Sequence, residues 1–271
     1  MRLPTILPIR PAILHRAPRR AAALGMLAAL VAAVALPATA LARPATSAAI
    51  RCGDVQCVIA FGDTQITNRL NALGTLNSKA ISEHSAGRIS DSIFGSISGD
   101  VSNDQQGLTQ LKGKLDAETD ITAARQDVKN IYVHFRVYAV VLPRDYREIW
   151  YGVMSFVDHK LRDLQPKLEN AIAHAPASEQ AQLNQLYSDY KGQLQEAESQ
   201  LDAAQGQFAT LTVNTFNNDL SVYQTALSDA KTDEQTAHRD LHQASSDLRQ
   251  MAGILKGGTG AQPAVTAASG S

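Results

Sequence analysis

An all-α fold is predicted by three features of this 271-residue chain. Apolar residues recur at alternating spacings of three and four from Leu183 to Leu255, broken once near Thr212. Only 14 residues are aromatic, while Ala, Leu, Gln and Asp recur throughout, a composition suited to helices rather than strands. Capping residues precede the apolar runs, and Pro or Gly follows them. The expected architecture is an elongated bundle of five or six helices ending in an antiparallel coiled-coil hairpin.

Residues 1–42 have the order of a cleaved signal peptide. Arg2, Arg10, Arg16, Arg19 and Arg20 form a basic region without acids. An apolar run follows from Ala21 to Leu36, then small residues ending Ala40-Leu41-Ala42. That run is shorter than the ~20 residues a spanning helix needs, so cleavage after Ala42 is expected rather than a retained anchor. Arg19-Arg20 also raises a twin-arginine route. The whole chain carries 25 basic and 26 acidic residues, and removing the five arginines leaves net −6. An acidic chain without a basic block is not expected to bind nucleic acid or anionic lipid.

Residues 43–62 read as a leader. It holds Cys52 and Cys57, which in an exported chain predict a disulfide around the turn-forming Gly53-Asp54-Val55-Gln56. So short a loop contributes ~2 kcal/mol at most. Two cysteines are too few for a closed zinc site, and their spacing is not that of a redox pair.

The bundle is expected over residues 63–256. A first helix starts near Asp63 and buries Ile66, Leu70, Leu73 and Leu76, ending at the turn His84-Ser85-Ala86-Gly87. A second carries Ile93, Ile97, Val101, Leu108, Leu111 and Leu115, weakened by Gly95, Gly99 and Gly107. Thr119 or Asp120 caps a third, whose seam runs Ile121, Ala124, Val128, Ile131, Phe135, Tyr138 and Leu142. Pro143 ends or kinks it. A fourth uses Trp150, Met154, Val157, Leu161, Leu164, Leu168 and Ala171, with a kink or early end at Pro166.

Ser178 is expected to cap the hairpin, residues 178–256. Its first seam is Leu183, Tyr187, Tyr190, Leu194, Ala197, Leu201, Ala204, Phe208 and Leu211. The second is Leu220, Tyr223, Leu227, Ala230, Glu234, Ala237, Leu241, Ala244, Leu248, Met251 and Leu255. The 3.5-residue repeat keeps one stripe facing a partner helix. Thr212 to Asn218 are poor helix formers and supply the turn, with Thr212 or Asn214 capping the second helix. Antiparallel partners have numbers with a constant sum. A sum of 424 sets Ala204 against Leu220 and Leu194 against Ala230, so large meets small, and gives Glu234 the Tyr190 phenol. A sum of 431 leaves Glu234 facing Ala197. The first is expected, because a buried carboxylate without a partner is costly. Such a seam can be filled within one chain or between chains, so a homo-oligomer is compatible with it. Gly257-Gly258 stops the last helix, and the uncharged tail within 257–271 is expected to be disordered.

The stretches Phe61-Gly62-Asp63-Thr64-Gln65-Ile66-Thr67-Asn68-Arg69-Leu70, Gly107-Leu108-Thr109-Gln110-Leu111-Lys112 and Phe135-Arg136-Val137-Tyr138-Ala139-Val140-Val141-Leu142-Pro143 carry a resemblance. They resemble those of uncharacterised secreted helical proteins of high-GC Gram-positive bacteria. The resemblance implies secretion and helices, and no activity.

The candidate site is residues 132–156, which hold seven of the aromatics with Arg136, Arg144 and Arg147 interleaved. Tyr, Trp and Arg dominate binding hot spots. Phe135, Tyr138 and Trp150 fall on the seam and read as core. Tyr132, Arg136, Tyr146, Arg147, Trp150 and Tyr151 are the candidate binding residues. His238 and His242 share a helix face at a spacing two metal ligands can use, but Arg239 stands where a zincin has Glu, so no metal is expected. No nucleophile elbow, Walker or Rossmann pattern occurs, so neither an enzyme nor a cofactor is expected. The leading reading is an exported, non-enzymatic protein of the envelope or extracellular space that works by protein contact. The alternative is a chaperone-like module that takes an apolar ligand near Trp150. No stable membrane insertion is expected.

Overall fold

The structure, a computed structural model, describes residues 52–257. The expected signal peptide, and the tail beyond Gly257, lie outside the described residues. Among the described residues every regular element is helical.

Helix α1 spans Val55–Ser85 and begins earlier than expected. Asp54 caps it, accepting from the Cys57 amide at 2.8 Å, so Cys57 lies in its first turn and no separate leader extends to residue 62. Cys52 and Cys57 are disulfide-bonded, with Cα atoms 5.4 Å apart. Helix α2 is Asp91–Asp116, capped by Ser90, and α3 is Ile121–Asn130, capped by Asp120. Helix α4 is Leu142–Arg162 with Pro143 in its first turn, and α5 is Gln165–Ala173 with Pro166 likewise placed. Proline is tolerated there because an N–H in the first turn has no acceptor within its own helix. Helix α6 is Ala177–Phe208, α7 the short Val213–Asn218 and α8 Leu220–Leu255. Six of these helices have ten residues or more.

The third helix differs from expectation. Instead of running to Leu142 it gives way to two π turns, Ile131–Phe135 and Val137–Val141, joined at Arg136 in the left-handed conformation (φ 46°, ψ 30°). The wider turns rotate the seam. Val137, Val140 and Val141 become buried, and Tyr138 is turned outward, 38% exposed.

Helices α6 and α8 pair antiparallel. Phe208 and Leu211 cluster with Tyr223, Ala226 and Ala230, while Leu183 to Leu201 cluster with Ala237 to Met251. All nine residues of the first seam are buried. The second seam starts at Tyr223, because Leu220 is 45% exposed. The caps also differ. Pro176, not Ser178, precedes α6; Thr212 caps only α7; and the long α8 is capped by Asp219, whose Oδ1 accepts from the Val222 amide. The register is not that of 424, which would set Gln193 opposite Lys231. Gln193 instead faces Asp247 and helps hold its carboxyl down against the rise from burial.

Three cores result. The first lies among α1, α2, α3 and the start of α4, down to Ile149. The second joins the rest of α4 and α5 to the open half of the hairpin. The third sets the hairpin tip against Val140. Helix α4 therefore passes from one core into the next.

Candidate functional site

Residues 132–156 form the joint between these cores, built outward from the break at Arg136. The Arg136 guanidinium lies 4.7 Å from the Phe216 ring centre, and its Nε donates to Asn217 Oδ1 at 2.9 Å. Asn217 Nδ2 in turn donates to the Val133 carbonyl at 3.0 Å. Pro143 has no N–H to offer Ala139 four residues earlier. The buried Tyr223 hydroxyl donates to that carbonyl instead, at 2.9 Å. The interrupted helix thus has its polar backbone met by the tip of the hairpin.

The other candidate residues are also engaged internally, and they do not converge on one surface. Tyr132 is partly buried beneath the Arg69 guanidinium, 4.6 Å from its ring centre, and burial pushes its hydroxyl pKa up. The Tyr138 ring centre is also near the Arg69 guanidinium, at 5.0 Å, and its hydroxyl donates to the Asn68 carbonyl. Tyr146 packs against the first core. Trp150 packs against the second, 5.5 Å from the His238 ring. Tyr151 donates to Gln205 Oε1 at 3.0 Å and meets Phe208 edge-on.

Arg147 does what Tyr190 was expected to do. Its Nη1 donates to Glu234 Oε2 at 2.6 Å, while Tyr190 donates to the Leu161 carbonyl. Glu234 is only 2% exposed, and burial, only partly offset by Arg147, pushes its carboxyl up to about 7.

One constellation was missed in the sequence. Arg144 donates to Asp145 Oδ1 at 2.7 Å, pairs with Asp100 of α2 and lies 3.7 Å from Glu148. Asp145 has no exposed surface, and burial carries its carboxyl up to about 7 despite Arg144. Asp104, on α2, is raised to about 6 by burial and then by Asp100. The signal was present. Asp145 falls on the stripe Leu142, Asp145, Ile149, Gly152, which the helical period turns inward.

His238 is partly buried and its pKa is lowered, first by desolvation and then by His242. Among the described residues no group of three or more His, Cys, Asp or Glu side chains is arranged to hold a metal. No described helix is long and apolar enough to cross a membrane. At the hairpin tip a shallow groove of about 270 Å³ is lined by Gln207, Thr210, Ser221, Val222, Thr225 and Ala226. Comparison with protein-family models, curated proteins and solved structures finds nothing that matches the chain.

Proposed function

We propose that this is an exported, non-enzymatic helical protein of the cell envelope or extracellular space, acting by contact with another protein. Export is supported by the charged, apolar, Ala-x-Ala order of residues 1–42 and by the disulfide. The resemblance to secreted helical proteins of high-GC Gram-positive bacteria agrees with it. The observation that carries the contact reading is the hairpin. Its second helix, 36 residues at ~1.5 Å each, is about 54 Å long. Its tip presents Leu220 and Val222, each 45% exposed, beside the groove. Asp189 and Glu196, seven residues apart and both exposed, lie on one stripe of α6, which fits a partner with a basic surface. The apolar-ligand reading has less support, because Trp150, Tyr151 and Tyr146 pack against the protein's own cores.

A photo-cross-linking residue at Val222, in cells that produce the protein, tests this. A discrete adduct with a second protein in the envelope or culture fluid is expected. An exported protein that forms no adduct from Val222, or from the exposed Gln195 on α6, would overturn the reading.

A further inference from the structure

We propose that α4 is a proton-operated joint, holding the N-terminal core and the hairpin together more firmly in mildly acid surroundings than above neutrality. The argument starts from the imbalance of charge along one helix. Arg144 is shared among Asp100 and Asp104 of α2 and Asp145 and Glu148 of α4. Arg147 reaches the single carboxylate Glu234 of α8. Five carboxyl groups therefore stand against two guanidinium groups, so full ionisation leaves three negative charges uncompensated at the contacts that tie α4 to α2 and α8.

Asp100 is 40% exposed and water screens it, but water reaches the inner members poorly. The Asp145 and Glu234 side chains are 0% and 2% exposed, and the Arg144 and Arg147 side chains only 16% and 14%. On each of Asp104, Asp145 and Glu234 one buried oxygen lacks a hydrogen-bond partner. A proton on such an oxygen removes both the like-charge repulsion and most of the desolvation cost.

The surroundings of each group set the direction. Asp145 is acted on by Arg144, Glu148 and Asp100; Asp104 by Asp100 and Arg144; Glu148 by Arg144 and Asp100. Glu234 feels Arg147 and Asp233, and the Tyr223 hydroxyl feels both arginines. Helix α6 brings Glu198 to Arg162, at the far end of α4. Burial is the largest cause for all four raised carboxyls, so the folded protein binds these protons more tightly than the unfolded chain. The stability they contribute is present at acid pH. It is lost as pH rises from the ordinary carboxyl range through about 6 for Asp104 and about 7 for Asp145 and Glu234. His238, one turn beyond Glu234, works in the opposite sense, since its lowered pKa makes protonation costly below its ordinary value.

Thermal unfolding by far-UV circular dichroism at pH 5.5, 6.5 and 8.0 tests the proposal on the native protein and on the double variant Asp145→Asn/Glu234→Gln. The native midpoint should fall by about 5 °C or more between pH 5.5 and 8.0. The double variant, fixed in the uncharged form, should lose most of that slope and exceed the native protein at pH 8.0. A native midpoint that is flat or rises with pH, or a variant that keeps the full slope, overturns it. Carbon-13 carboxyl titration of the native protein gives a second reading that needs no variant. At least two carboxyls with midpoints between 6 and 8 support the joint, and none above 5 sinks it.

Discussion

Arg136 is the described non-glycine residue with positive φ. A side chain in that region costs of order 1 kcal/mol and persists only when its neighbours hold it. Here Phe216 and Asn217 grip the guanidinium, while the Val133 carbonyl is met from the same Asn217 side chain. Two substitutions separate strain from contact. Arg136→Ala loses the contacts and keeps the strain. Arg136→Gly loses the contacts and relieves the strain. Urea unfolding should therefore find Arg136→Gly more stable than Arg136→Ala by about 1 kcal/mol. Equal stabilities, or alanine ahead, would mean that the left-handed break is not formed. The break was not legible in the sequence. Phe135, Tyr138 and Leu142 continue the helical seam, and Arg136 has no local preference for left-handed backbone. The outcome depends on Asn217 and Tyr223, some eighty residues away, which no local pattern reports.

Helix α2 shows how differently glycines act within one element. A Cβ on Gly107 would lie 2.6 Å from Phe135 Cε1, whereas one on Gly95 would meet nothing within 4 Å. Both count equally against the helix in a propensity reading. In the structure Gly107 is the groove that admits the Phe135 ring. Gly95→Ala should raise stability by about 0.5–1 kcal/mol through helix propensity, while Gly107→Ala should lower it by about 1–3 kcal/mol through overpacking. Thermal unfolding of the two variants checks the opposite signs. Shifts of one sign would show that α2 does not meet Phe135 as described. At this scale the sequence was informative wherever period and cap agreed. The nine buried positions from Leu183 to Leu211 follow the seam, and Asp120, Pro143, Pro166 and Gly257 all mark helix ends. It was less informative where polar residues compete for one role. Asp219 rather than Thr212 or Asn214 caps α8, because α7 intervenes and takes the Thr212 hydroxyl.

Across the described residues α4, together with the π turns before it, links the N-terminal core to the hairpin. Its first half contributes Leu142 and Ile149 to the N-terminal core, and its second half contributes Met154 and Leu161 to the core shared with the hairpin. The aromatic and arginine richness of residues 132–156, which reads as a binding surface in the sequence, is spent largely on this connection. Hot-spot composition cannot distinguish an internal interface from an external one, since both bury Tyr, Trp and Arg against complementary surfaces. The expected Tyr190–Glu234 pair failed for a related reason. A two-helix register considers only two helices, and Arg147 arrives from a third.

The joint is also where the only tryptophan lies, so one titration reports on it directly. Urea unfolding of the native protein would be followed by Trp150 fluorescence and by far-UV ellipticity at fixed pH, with Tyr223→Phe alongside. If α4 couples the cores, the two signals share one midpoint. Tyr223→Phe, which leaves the Ala139 carbonyl without its donor, should then shift both curves together by about 1–2 kcal/mol. A Trp150 transition completed well before the loss of helix, in the native protein, would contradict the coupling and return residues 132–156 to the role of a surface.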